Sequence, residues 1–517
     1  MAPTDHGREV WVNLERPLVS VDPELARRIW DRDASLWAPG EDDPRDRLGW
    51  LDLPDRMPAE LDRLRRFARS IASEGIRTVV LLGMGGSSLA PEVWAATLEA
   101  MEGYPSLEVA DSTHPDAVRA LTTALDLERT MWLVSSKSGG TVETMSLYRH
   151  FRSLRDDGDA FVAITDPGTS LERLAGEEGF RETFVNPPDI GGRYSALSFF
   201  GLVPAALLGV DLDALLGRAR DMARACGPDR SVEDNPGIAL GAMVAGWALG
   251  GRDKLTFLTS EPIASLGDWI EQLIAESTGK EERGITPVVR EPHAEPAIYG
   301  GDRAFVHIRL ANDDAYEEFI LALERGGHPV VAVQMADRLD VGGEMYRWEF
   351  ATAVAGSILG INAFDQPDVE AAKRNAREAL YNTAPKWPDD DPDAFFAGIA
   401  APELAALLVF APRTHESDAV LEAARSKLLH RYAVASSAGF GPRYLHSTGQ
   451  LHKGGPARLR ALVVLAQPSG DVTIPGSDYG FARLVTAQAL GDVRALEAAG
   501  RRVARMSWPR FAEWATS

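Results

Sequence analysis

Two short stretches of this chain concentrate the hydroxyls, glycines and cations that an anion-binding site needs. The first, LLGMGGSSLAP from Leu81 to Pro91, strips side chains from a turn at Gly83, Gly85 and Gly86 and then offers Ser87 and Ser88. With no Cβ in the way, backbone N–H groups can close on a phosphate, and the helix that follows adds partial positive charge at its N-terminus. The second, SSKSGGTVET from 135 to 144, sets Ser135, Ser136, Lys137, Ser138, Thr141 and Thr144 around two glycines. Each stretch follows an apolar run, Val79 to Leu82 and Met131 to Val134, and open α/β sheets bind ligands outside the carboxyl ends of such strands. Two hydroxyl-rich turns after successive strands converge on one phosphate. Two other readings stand beside the first cradle: a plain tight turn, and a dinucleotide fingerprint with Asp111 after LEVAD as its acidic partner. GxGxxG fails at its last position, where Ser88 stands. In the second stretch, Ser and Thr are also ordinary helix N-caps.

The elements that would carry these loops alternate between strand and helix. RTVVLLG, SLEVAD, MWLVSS, AFVAIT and ETFVN read as strands with amphipathic stretches between them, which is βαβ organisation and a mostly parallel sheet. KLTFLTS, AFVHIRL and PVVAVQM begin a second such unit, closed by a long helix through MYRWEFATAVAGSILGI. A Pro-rich acidic stretch, NTAPKWPDDDPDAFF, reads as a linker, and LAALLVFAP, RALVVLAQ and VARMSW as strands of a third α/β segment. The expected division is a helical and loop wrap at 1–75, α/β units at 76–215 and 216–380, and a C-terminal α/β domain at 381–517.

Bulk properties bound the function. At 517 residues and 45% apolar composition, the chain has ample material for several packed cores. A single cysteine, Cys226, allows neither an intramolecular disulfide nor a thiolate metal cluster, which suits a reducing cytoplasm. No HxxxH or CxxC pair is present, so no metal and no cofactor is expected. MAPTDHGREVWVNLE lacks the layout of a signal peptide, and no apolar run approaches the ~18 residues of a membrane span. A formal charge of −22 argues against nucleic acid and anionic membranes as partners. A phosphorylated substrate then needs a local positive site, for which Lys137, Arg193, Lys280 and Lys373 are suitably placed.

Taken with GGRYSALSFFG at 191–201, IEQLIAESTGK at 270–280 and INAFDQPDVEAAK at 361–373, the two loops resemble, in order and spacing, the motifs of the glucose-6-phosphate isomerase family. The resemblance spans roughly residues 80 to 375 and implies two flavodoxin-like sugar-isomerase domains with parallel sheets, here followed by the third α/β domain. Ordinary members end soon after the last lysine, and the extra segment is similar to the isomerase half of bacterial transaldolase fusions. The implied activity interconverts glucose 6-phosphate and fructose 6-phosphate through an enediol. A different phosphosugar, mannose 6-phosphate or one of secondary metabolism, and a non-catalytic sugar-phosphate regulator are the alternatives.

By resemblance Glu276 is the base that moves the proton, and its apolar setting, LIAEST, partly desolvates the carboxylate. The competing reading is an exposed helix glutamate like Glu271. Gln272, one turn earlier, shares its helix face and matches a position near the phosphate. Arg193 supplies a fixed positive charge for the enediolate, or else buttresses its loop. Gln366 and Lys373 match positions for phosphate contact and for assistance at the ring oxygen; Asp368 stands where the family usually has a small residue. Gly85, Gly86, Ser87, Ser136, Lys137, Ser138 and Thr141 are the expected phosphate ligands.

The family's ring-opening histidine segment is missing from its usual place, after the glutamate and before FDQ. A similar string appears late, GFGPRYLHSTGQLHKGG at 439–455, which makes His446 the equivalent; His293 is the rival, and His452 and Lys453 add positive charge. Ordinary members borrow this histidine from a partner subunit. Here the C-terminal domain could fold back over its own chain's site, so monomer and homodimer both remain open.

Overall fold

The computed structural model describes residues 19–40, 43–381 and 386–517. The stretch read for a signal peptide, and Asn382 to Pro385 at the start of the expected linker, lie outside the described residues.

Three parallel sheets organise the chain. The first contains β1 (Thr78–Leu82), β2 (Ser106–Ala110), β3 (Thr130–Ser135), β4 (Phe161–Thr165) and β5 (Glu182–Val185), in the order β2-β1-β3-β4-β5. The second contains β6 (Lys254–Thr259), β7 (Thr286–Val288), β8 (Arg303–Leu310) and β9 (Val330–Met335), ordered β7-β6-β8-β9. The third contains β10 (Leu404–Phe410), β11 (Ala435–Phe440), β12 (Leu459–Leu465) and β13 (Arg502–Ser507), ordered β11-β10-β12-β13. All three share one winding: the second strand lies outside the first and the third on its other side, as in flavodoxin-like sheets.

The continuous apolar runs of β1 and β3 follow from burial on both faces. Side chains alternate along a strand. Val79, Leu81, Met131 and Leu133 therefore enter one core, shared with the second sheet through Leu255 and Val306 and with the N-terminal residues Trp37 and Trp50. Val80, Leu82, Trp132 and Val134 point the other way, into a core shared with Leu408 and Val463 of the third sheet and Phe481 of the helix Phe481–Ala498. The first sheet is thus sandwiched between the other two, and truncating a shared residue such as Leu133 to alanine would cost about 2–5 kcal/mol. The other face of β10, Ala405, Leu407 and Val409, covers a third core beneath the helix His415–Tyr432.

Two strands escape the apolar pattern. β7 is three residues long and contains Pro287, which a sheet accepts only at its edge; β11, ASSAGF, is small and polar and also an edge. No described helix is long and apolar enough to cross a membrane.

Candidate active site

The turn after β1 is the meeting point of the expected site residues. Gly85 has φ +55°, and a Cβ there would lie 2.4 Å from the His446 carbonyl oxygen and 2.9 Å from Gln272 Nε2. Glycine is required by both the left-handed backbone and the approach of two other segments. At Gly86 a Cβ would lie 2.1 Å from the Gly192 carbonyl oxygen, so the GGRYS turn packs directly on the cradle. The two phosphate loops also touch: Ser135 Oγ donates to the Ser87 carbonyl at 3.2 Å. Ser136 Oγ and Thr141 Oγ1 are 2.9 Å apart, while Ser138 Oγ is exposed and accepts from the Gly140 N–H at 3.4 Å. Lys137 behaves differently. Its ammonium is held 2.6 Å from Asp166, whose carboxyl burial raises, so the lysine's charge is partnered rather than free for an anion.

The helix Ala264–Thr278 supplies the carboxylate. Gln272 and Glu276 lie one turn apart on one face; Gln272 Nε2 donates to Glu276 Oε2 at 3.1 Å and to the His446 carbonyl at 2.8 Å. Glu276 Oε1 stands 3.6 Å from Arg193 Nη1. Arg193 is 3% exposed and has most of its donors engaged: Ser277 Oγ, Gln366 Oε1 and the Ala363 carbonyl, each at 2.7 Å, and the Asp365 carbonyl at 3.0 Å. It therefore buttresses the FDQ loop and faces Glu276 at once. Glu271, read as an exposed counterpart, is not one: burial and then Asp268 push its carboxyl up to about 8. Lys280 is also no open phosphate cation. It is buried, paired with Asp365 at 3.1 Å, and pushed down to about 7 by desolvation and by Arg193.

The histidine arrives from the third sheet. The single-turn helix Arg443–His446 follows β11, and Arg443 anchors it on Glu92 and Asp111 of the first unit. Asp111, the acid of the dinucleotide reading, is thereby consumed. His446 Nε2 lies 3.0 Å from Glu143 Oε1. Burial opposes ionisation of Glu143, yet His446, and more distantly Lys373, hold its carboxyl below the usual range. Glu143 sits in the first turn of the helix Val142–Leu154, inside the SSKSGGTVET stretch, where no local pattern marks it because its partner is 303 residues away.

The remaining expectations divide. Lys373 sits on the helix Val369–Tyr381, half exposed and bonded to Glu370 at 2.6 Å; beyond its pull on Glu143 it is not joined to the cluster. His293 is exposed and stacks among Tyr316 and Phe319, away from the other residues of the site. His452 and Lys453 add no positive charge: burial drives the imidazole down to about 3, and Lys453 is neutralised by Asp492 at 2.6 Å. Asp368 ties the FDQ loop to the histidine segment, its N–H donating to Gln450 Oε1 at 3.0 Å and its carboxylate accepting from Gln450 Nε2 at 2.6 Å. No group of three or more metal-ligating side chains occurs among the described residues.

The phosphoglucose isomerase family profile matches residues 54–303, a stretch that includes both loops, Arg193 and Glu276. A glucose-6-phosphate isomerase of Lactobacillus helveticus is 31% identical over 387 residues, covering 63% of this chain and 85% of the relative. The chain belongs to the phosphoglucose isomerase family. A further member, from Rubrobacter xylanophilus, is 30% identical over 382 residues, covering 63% of this chain and 87% of its own. Among solved structures, a hypothetical protein from Thermus thermophilus aligns with a TM-score of 0.60 at 28% identity, over 69% of this chain and 94% of its own. A glucose-6-phosphate isomerase from Chlamydia trachomatis shares the fold at a TM-score of 0.52 and 20% identity, over 69% and 78% of the two chains.

Proposed function

We propose that this chain interconverts glucose 6-phosphate and fructose 6-phosphate, with every reacting group supplied by one polypeptide. The observation that carries this reading is one cluster around Gly85, in which Gln272 donates to both Glu276 and the His446 carbonyl and Arg193 stands 3.6 Å from Glu276. The phosphate rests in the cradle of Gly85, Gly86, Ser87, Ser136, Ser138 and Thr141. His446 gives a proton to the ring oxygen as the C1–O5 bond breaks and the C1 hydroxyl proton passes to water, leaving the open aldehyde. Lys373, bonded to Glu370 and outside that cluster, is the further cation assigned to the same oxygen, a role that requires it to leave Glu370. Glu276 then takes the proton from C2, negative charge develops on the enediolate beside Arg193, the hydroxyl proton passes from O2 to O1, and Glu276 returns the carbon-bound proton to C1, giving the ketose.

Because the histidine comes from the chain's own third sheet, catalysis needs no second subunit. The test is a coupled assay of fructose 6-phosphate isomerisation in EDTA, with mannose and amino-sugar 6-phosphates in parallel. Formation of glucose 6-phosphate, scaling linearly with enzyme down to concentrations where the protein is monomeric, is the expected result. Activity abolished by EDTA and restored by zinc, or confined to another phosphosugar, would overturn the reading.

A further inference from the structure

Behind the His446–Glu143 pair lies a third layer that the reaction as described does not use. Gln488, on the helix Phe481–Ala498 and 4% exposed, donates from Nε2 to the same Glu143 Oε1 at 2.7 Å. Its own Oε1 accepts from Thr113 Oγ1 at 2.6 Å, and Thr113, in the loop after β2, is fully buried. One turn further along, Asp492 accepts from the Tyr444 hydroxyl at 2.7 Å, two residues before His446.

Donor and acceptor identities give this chain one direction. An amide nitrogen only donates and a carboxylate only accepts. With Thr113 donating to the Gln488 carbonyl, the amide NH2 faces Glu143; the flipped amide would press its oxygen against the carboxylate. Glu143 is left as an acceptor for the ring, so the proton on the Glu143 side belongs to Nε2. His446 Nδ1 has no partner among the described residues, and the side chain keeps 19% of its surface exposed.

We propose that Gln488, oriented by Thr113, is a positioning residue for ring opening: it holds Glu143 so that His446 keeps its proton on Nε2 and moves the catalytic proton through Nδ1. The assignment of His446 to ring opening rests on the isomerase reading; the orientation of the ring does not. Residues that orient metal-bound histidines change activity by about 10- to 100-fold, and an effect of the same order is expected here.

The experiment compares full-length wild type, Gln488→Leu, Thr113→Val and the double variant on cyclic glucose 6-phosphate and on an open-chain sugar phosphate, with melting temperature followed throughout. Gln488→Leu should lower kcat on the cyclic substrate about tenfold more than on the open-chain one, with KM unchanged. Thr113→Val should show a smaller loss of the same kind, and the double variant should be no worse than Gln488→Leu. If Gln488→Leu fails to fold, Thr113→Val carries the comparison. Equal losses on both substrates, or additive losses in the double variant, overturn the proposal while leaving the isomerase reading intact. If wild type isomerises neither sugar, that reading fails instead, and 15N NMR of His446 still decides the relay: a slowly exchanging Nε2–H in wild type that exchanges freely in both single variants supports it, and a neutral ring protonated on Nδ1 overturns it.

Discussion

The phosphate loops close over short stretches of chain, whereas the histidine side of the site is assembled across hundreds of residues. Ser136 and Thr141 are five positions apart, and both loops hang from neighbouring strands of one sheet. His446 meets Glu143 across 303 positions, and Gln488 meets Glu143 across 345. On the first side the proposed binding device is the backbone itself, for which glycines and hydroxyls at fixed spacing suffice. On the second, a proton-moving group is aimed by side chains from two sheets, and its precision depends on how those sheets pack through Val80, Trp132, Leu408 and Val463.

Substitutions on the two sides should separate binding from chemistry. The largest effect belongs to Glu276→Gln, which keeps the shape and the approach of Gln272 but cannot accept the C2 proton. Exchange of that proton with solvent should fall by about 10⁴-fold with phosphate affinity kept, and exchange near the wild-type rate would place the base elsewhere. His446→Ala comes next. On the cyclic substrate the loss should be about 10²- to 10³-fold, and on an open-chain sugar phosphate small; equal damage to both would make the histidine structural. On the phosphate side, Ser136→Ala with Thr141→Ala should chiefly weaken binding, each lost charge-assisted hydrogen bond being worth on the order of 1.5–3 kcal/mol. Unchanged affinity for an inert sugar-phosphate analogue would remove these hydroxyls from the cradle.

The smallest effect is on stability alone. Glu271 lies on the catalytic helix but outside the cluster, and its carboxyl is raised from an ordinary 4.5 to about 8 in the folded chain. A group raised on folding carries no cost below its unfolded value and a growing one up to its folded value. Glu271→Gln should therefore match wild type below about pH 4.5 and become the more stable of the two as pH rises to about 8, with a melting temperature that exceeds wild type by a growing margin. A constant difference across that range would mean that the carboxyl titrates normally.

What could be read from the sequence follows the same divide. β1 and β3 announce themselves as apolar runs ending in glycine because two-sided burial leaves no polar face, and Arg193 and Glu276 lie in motifs whose members are neighbours in the chain. β7 and β11 did not, since an edge strand of three residues with a proline, and one of Ala, Ser and Gly, carry no hydrophobic period. The ion pairs of Lys137, Lys280 and Lys453 are hidden in the sequence for a related reason: each meets a carboxylate, Asp166, Asp365 or Asp492, supplied by a different element. Glu143 and Gln488 have no local signature at all, because an acid in a first helical turn and a glutamine in an alanine-rich helix are ordinary until the sheets are packed.

The long reach of the Gln488–Glu143 contact also sets an order of events during protein synthesis. Chains emerge from the ribosome at roughly 5–20 residues per second and fold N-terminal units first. The 345 positions between the two residues then correspond to roughly 20 to 70 s of translation. Both glycine-rich loops are synthesised by the start of that interval and the helix bearing Glu276 before its midpoint, while the turn of His446 and the helix behind it come last. On the proposed assignment, the nascent chain thus completes its phosphate loops before it gains the histidine that opens the sugar ring.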